Sequence, residues 1–208
     1  MNVGQCEYLT QDRVISFFRD RLGYTYLGNW EYRDNSNIEE GLLRAFLEKQ
    51  GHSNPLINRT IHELKRVAGD QSRSLYDVNR DVYTLLRYGA KVKSGIGEIT
   101  DTIQLINWSD PYKNHFAIAQ EVTVSGENTK RPDIVLYVNG IALGVLELKR
   151  STVPVGNAIR QNLDNQASRF IRLFFSTVQL IMAGNDTQGM RYGVIETPEK
   201  YYLTWKED

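Results

Sequence analysis

Residues 131–151 read RPDIVLYVNGIALGVLELKRS, and the fold turns on how this stretch pairs with itself. Nearly everything between its ends is apolar, yet Asp133 stands at one end and Glu147 and Lys149 at the other. The runs IVLYV and IALGVL lack the polar alternation of a half-exposed strand, so both faces should be covered, as in the central strands of a sheet flanked by helices. Asn139-Gly140 between them is the strongest short hairpin signal in the chain. The two runs are therefore expected to be antiparallel neighbours.

The length of the connection decides where the acids go. A two-residue Asn-Gly loop pairs Val138 with Ile141, sets Asp133 opposite Leu146 and turns Glu147 to the other face. A three-residue loop, Val138-Asn139-Gly140 with Gly140 left-handed, shifts the parity by one. Asp133 then opposes Val145, lies diagonal to Glu147 and shares a face with Lys149. Joint action of the three therefore requires this looser turn or an equivalent bulge. The chemical reason for gathering them is metal binding. Two carboxylates and a nearby main-chain carbonyl are hard oxygen ligands of the kind Mg²⁺ accepts. The ion would lower the pKa of its bound water and neutralise charge on a scissile phosphate. Lys149 could orient the attacking water or stabilise the pentavalent transition state. Charged residues at strand ends are also ordinary solvated termini, so the triplet needs its context.

That context is a chain of 208 residues, long enough to bury a substantial core, with 41% hydrophobic and 24% charged residues, values of an ordinary globular protein. The longest apolar runs fall far short of the roughly 20 residues of a membrane span, and MNVGQCEYLTQDR has no signal-peptide pattern. A cytoplasmic location is expected. The single cysteine, Cys6, excludes an internal disulfide, and it and three scattered histidines offer no zinc-ligand spacing. Basic and acidic side chains balance at 25 each, so any contact with DNA must be local or supplied by a partner.

Away from the hairpin, helices are expected in TQDRVISFFRDRLG, with Thr10 as N-cap and Gly23 as stop, and in NSNIEEGLLRAFLEKQG, capped by Asn37 and ended by Gly51. Further helix fills residues 55 to 90. The aromatics Tyr24, Tyr26, Trp30 and Tyr32 read as packing. After Gly95 the texture turns to strands in ITDTIQLINW and HFAIAQEVTV with a turn at SGENTK, then a helix in NAIRQNLDNQASRFIRLFF, a strand in VQLIMAG and a C-terminal hairpin around Thr197-Pro198. The expectation is one α/β domain over 1–208, a mainly helical layer over 1–95 and a sheet-centred core over 96–208.

Arg131-Pro132-Asp133 with Glu147-Leu148-Lys149 resembles the PD-(D/E)xK nuclease signature. The wider string, with INWSDPYKNHFAIAQEVTV before it and IMAGNDTQGMRYG after it, resembles the N-terminal domain of type I restriction enzyme R (endonuclease and translocase) subunits. The similarity is most specific over roughly residues 97–195. It implies a restriction-endonuclease-like mixed central sheet flanked by helices, and cleavage of double-stranded DNA with Mg²⁺ held by Asp133 and Glu147. It also implies that the chain belongs to a larger R subunit that assembles with methylation and specificity subunits. No GxxxxGK[ST] occurs here, so ATP enters only through a translocase region absent from this chain.

The class often carries an extra acid on an early helix. Helical phase favours Glu39, in the middle of the stripe of Ile38, Leu42, Leu43 and Phe46, over Glu40, which points toward the surface; both acids also suit a helix N-terminus. Gln161 matches the glutamine of the family's Gln-x-x-x-Tyr, but Asn165 replaces the tyrosine. Gln120 and Glu121 lie on the strand beside the hairpin, and alternation does not say which faces the site. Arg131 and Arg150 are candidate phosphate contacts. The catalytic set is thus Asp133, Glu147, Lys149, Glu39 and Gln161. The alternative is a nuclease-like module that docks on DNA or a partner without cutting.

Overall fold

The computed structural model describes residues 3–95 and 97–206, with the side chains of residues 3–7, Cys6 among them, outside the description. Five α-helices are seen among the described residues: α1 (Val3–Asp20), α2 (Glu40–Lys49), α3 (Asn54–Ala68), α4 (Leu75–Tyr88) and α5 (Val155–Asn165). The strands are β1 (Thr25–Asn29), β2 (Ala90–Lys93), β3 (Thr100–Ile103), β4 (Phe116–Gln120), β5 (Ile134–Val138), β6 (Ile141–Leu148), β7 (Leu180–Asn185), β8 (Gly189–Gly193) and β9 (Leu203–Thr204). Seven of them form a mixed sheet in the order β1-β4-β5-β6-β7-β8-β9, with β2 and β3 paired apart. The pairs β1–β4 and β6–β7 are parallel and the rest antiparallel. No described helix is long and apolar enough to cross a membrane.

Both faces of β5 and β6 are covered, as their unbroken apolar runs require. On one face, Val155, Ala158 and Ile159 of α5 pack over Ala119, Val135, Val145 and Ala183. On the other, Ile15 of α1 packs over Ile118, Ile134, Leu146 and Met182. Each large aliphatic side chain buried this way contributes roughly 1.5–3 kcal/mol. A third cluster joins α2, α3 and α4 to β2 and β3 through Leu43, Leu47, Ile57, Leu64, Val82 and Ile103.

The hairpin solves the parity problem differently from the three-residue loop. Val138 pairs with Ile141, so the turn is the tight Asn139-Gly140 form, with φ of 52° and 83° at its two central residues. The odd residue is inside β6. Tyr137 pairs with Ala142 but Leu136 with Gly144, which leaves Leu143 as a bulge. The reason is a change of neighbour on the strand's other edge. Ile141 and Ala142 meet Ile38 and the Asn37 carbonyl, whereas from Gly144 onward the neighbour is β7. The register beyond the bulge sets Asp133 opposite Glu147, on the α5 face.

The turn is also a buried polar hub. The Asn139 carboxamide donates to Leu105 O and Asn114 Oδ1, both within 2.9 Å, and accepts the His115 N–H at 2.8 Å. Asn139→Ala strands these groups and puts in left-handed backbone a residue that tolerates it less well than asparagine, so a loss of about 3 kcal/mol is expected. Thermal denaturation should then show a fall in Tm of roughly 6–12 °C.

Several local expectations are corrected. Thr10 does not cap α1, which begins at Val3; its hydroxyl donates to Asp186 at 3.0 Å from the helix interior. Asn37 does not cap α2 either, because its side chain bonds Leu173 O and Ser176 Oγ, and Glu39 precedes the first turn. Residues 25–29 form an edge strand. Tyr24 and Trp30 pack on Phe116 and Tyr137, but Tyr32 is exposed. The helix after the hairpin stops at Asn165, where Gln166 bonds Asn162 O and the Glu196 N–H, so Ala167 and Phe170 fall outside it. The C-terminal pairing of β8 with β9 is as expected.

Candidate active site

The carboxyl ends of β4 and β6 and the approach to β5 meet around a cavity of about 410 Å³, whose wall includes Gln11, Glu121, Arg131, Asp133, Glu147, Lys149, Gln161 and Tyr8. A larger, apolar groove of about 820 Å³ lies between α1 and the sheet, lined by Phe17, Phe18 and Leu22 among others. The smaller cavity is the one with buried ionisable groups. Four of the five residues singled out from sequence, Asp133, Glu147, Lys149 and Gln161, lie in its wall.

The bulge makes this possible by turning Glu147 and Lys149 onto the face where Asp133 sits. Asp133 is 9% exposed, and its Oδ2 accepts the main-chain N–H of Leu148 at 2.7 Å. Glu147 is fully buried. Its Oε1 accepts from Lys149 Nζ at 3.0 Å, and the same ammonium reaches Leu148 O at 3.0 Å. Glu147 Oε2 is buried and meets no hydrogen-bond donor among the described residues. Burial pushes the Glu147 carboxyl well above the usual carboxylate range, the Asp133 charge pushes it further, and Lys149 only partly opposes them. Two acids facing each other in a dry site disfavour double ionisation unless a cation joins them.

Glu39 is not in this wall. Helical phase placed it correctly as inward-facing: its side chain is 13% exposed against 48% for Glu40, which pairs with Lys65. Its partner is Arg33, however, and its N–H donates to Gly140 O at 2.7 Å. That fixes it at the turn end of the hairpin, while Asp133 is six residues away along β5, a span of about 20 Å. Asn165, in place of the tyrosine, is buried and outside the cavity wall. Arg150 is outside it too.

Glu121 is the residue that sequence reasoning left undecided. It follows the last residue of β4 with φ of 52°, unusual for a side chain other than glycine, and its N–H donates to Asp133 O at 2.8 Å. Its carboxylate accepts from Gln11 Nε2 at 2.9 Å and is ion-paired with Arg131, whose Nε lies 2.7 Å away. Gln120 instead accepts the Tyr26 hydroxyl at 2.9 Å. Strand parity favours Glu121, which shares that of Ala119, but the left-handed turn at Glu121 itself is invisible in the pattern.

Among the described residues no three His, Cys, Asp or Glu side chains converge as a ready metal-ligand set. The fit to a hard divalent cation rests instead on two facing carboxylates, one with a buried oxygen that meets no donor among the described residues, and on the neighbouring Leu148 carbonyl.

A mixed sheet with acids and a lysine gathered at its strand ends is consistent with a nuclease-like fold, and comparison with known proteins gives the family. Residues 5–200 match the family described as "Type I restriction enzyme R protein N terminus", and the chain belongs to that family. It is 25% identical over 156 residues to the "Putative type I restriction enzyme MjaIXP endonuclease subunit" of Methanocaldococcus jannaschii, covering 69% of this chain and 15% of that protein. The "Putative type I restriction enzyme MjaVIIIP endonuclease subunit" of the same organism is 26% identical over 140 residues, or 63% and 13% of the two chains. The chain therefore spans only a small part of the length of these relatives.

Proposed function

We propose that this chain is a Mg²⁺-dependent endodeoxyribonuclease domain of the PD-(D/E)xK type, which hydrolyses phosphodiester bonds of double-stranded DNA within a type I restriction-modification system. The observation that carries this reading is the buried Glu147, raised in pKa and facing Asp133 with Lys149 beside it. Burying such a group costs several kcal/mol unless a partner compensates, and a fold that needed only stability would have an apolar residue there. Asp133, Glu147 and the Leu148 carbonyl are the groups that would hold the ion. When bound, it supplies Lewis-acid charge neutralisation and a more acidic water.

The chain's own residues supply the rest. Asp133 is oriented by the Leu148 N–H, so its second oxygen has a defined direction. Lys149 holds its ammonium beside Glu147 Oε1, where it can fix a water or stabilise negative charge on the phosphate. Gln161, on α5 in the same wall, would orient either. Glu39 is not part of this machinery. With a net charge of zero, tight binding of DNA is assigned to the remainder of the R subunit and to the methylation and specificity subunits it assembles with. ATP use is assigned to a translocase region outside these residues.

Asp133→Asn is the cleanest test, because an amide oxygen can still accept the Leu148 N–H and the fold is kept. In the assembled complex, cleavage should fall by about 10²–10³-fold or more, and calorimetry with Mn²⁺ should lose the heat of binding seen with the wild type. Wild-type nicking rates in the variant would refute the assignment. Equal metal binding by both proteins would favour the docking-module reading.

A further inference from the structure

The cavity wall holds two groups that the metal-site chemistry does not use, Glu121 and Arg131. Three carboxylates, Glu121, Asp133 and Glu147, and two cations, Arg131 and Lys149, lie in its wall. The Lys149 ammonium is engaged by Glu147 and by Leu148 O. Arg131 differs. Its Nε is held by Glu121 and its Nη1 by Glu31, while Nη2 donates to nothing in the described protein, and the side chain is 47% exposed. A guanidinium has five N–H groups in a fixed plane, so holding Nε and Nη1 fixes the plane and with it the direction of Nη2.

We propose that Glu121 is a positioning residue: with Glu31 it fixes the Arg131 guanidinium at the cavity mouth and leaves its Nη2 for the DNA backbone, making Arg131 the phosphate anchor of the site. The inference rests on the nuclease reading above. Three features single out Glu121 from an ordinary surface acid. Its backbone is left-handed, at φ of 52°, a conformation that a non-glycine residue keeps only when its surroundings over-determine it. Its main-chain N–H ties it to Asp133 O, and Val122 N–H ties the next residue to Pro132 O at 3.0 Å. Its two oxygens are divided between Gln11 of α1 and Arg131. One residue thus sets the backbone that carries Asp133 and the side chain two positions before it. The ligand is a phosphodiester of the duplex, recognised by charge-assisted hydrogen bonds that carry no sequence information.

The test uses the full-length protein in its complex, with Glu121→Gln, Arg131→Ala and the double variant, measuring cleavage and salt-dependent binding of a non-specific duplex. Glu121→Gln should raise KM for DNA about tenfold while kcat stays within about twofold of wild type, and Glu121→Asp should recover part of the loss. Arg131→Ala should lower the slope of log affinity against log salt by about 0.9, one phosphate contact. In the Arg131→Ala background, Glu121→Gln should change nothing more. Tighter binding by Glu121→Gln would overturn the proposal, since Glu121 would then be competing with phosphate for Arg131. An unchanged salt slope, or additive losses in the double variant, would overturn it as well. Failure of the nuclease reading looks different: the wild type would then show no cleavage that depends on Asp133.

Discussion

Glu147→Gln is expected to give a protein that does not cut DNA, does not respond to divalent cations, and is nonetheless at least as stable as the wild type without metal. Burial and Asp133 hold the Glu147 carboxyl well above its ordinary value of 4.5. Between that value and the raised one, the folded protein keeps a proton that the unfolded chain has released. Stability of the wild type must therefore fall as pH rises through this window and level off above it. Glutamine removes the titration. In metal-free buffer the Tm of the variant should match the wild type near pH 4.5 and exceed it above that, by an amount that grows with pH and then levels off. Addition of Mg²⁺ or Mn²⁺ at about 100 times its Kd should raise the wild-type Tm by roughly 5–10 °C, the equivalent of about 2.7 kcal/mol, and leave the variant unmoved. A variant whose Tm lies well below the wild type at pH 8 without metal would show that the carboxylate is there for the Lys149 ion pair alone.

Lys149→Met has the opposite signature. Methionine keeps the buried stem but removes the charge that partly offsets Asp133 and burial at Glu147. Cleavage should fall by about 10²–10⁴-fold. Lys149→Arg should not restore it, because the planar fork does not place a compact charge at 3.0 Å from both Glu147 Oε1 and Leu148 O. With its opposing charge gone, Glu147 is displaced upward further, so the fall in Tm with rising pH should continue to higher pH than in the wild type. Adding Glu147→Gln to Lys149→Met should abolish that fall. Additivity of the two changes in Tm at pH 8 would mean that the groups do not act as a unit.

The parts of this architecture legible in sequence are those set by local pattern. Unbroken apolar runs marked β5 and β6 as two-faced, Asn139-Gly140 marked their turn, and the chemistry of Asp133, Glu147 and Lys149 implied that an odd residue had to be absorbed between them. What could not be read was where. The bulge lies at Leu143 because Ile38, remote in the chain, pairs with Ile141 and hands the strand edge over to β7. The same kind of long-range term misled the helix ends. Thr10 has the residue type of a cap, yet it sits inside α1 with its hydroxyl on Asp186, 176 positions away. Asn37 is drawn off by Leu173 and Ser176. TYLGN, short and carrying a glycine, gave no strand signal that could compete with the aromatics around it. Glu39 shows how far a periodicity argument reaches: it gave the right face of the chain and the wrong end of the sheet.

The unpaired residue at Leu143 has an implication for how such a hairpin can change over time. Lengthening or shortening the segment between Asp133 and Glu147 by two residues preserves which side each group occupies, whereas a single insertion or deletion exchanges Glu147 and Lys149 for Leu148 at the cavity. Any odd change in this interval must be accompanied by the gain or loss of a bulge. Two chains with different spacing here can therefore present the same groups, and two chains with matching motifs can differ by one codon and be inert.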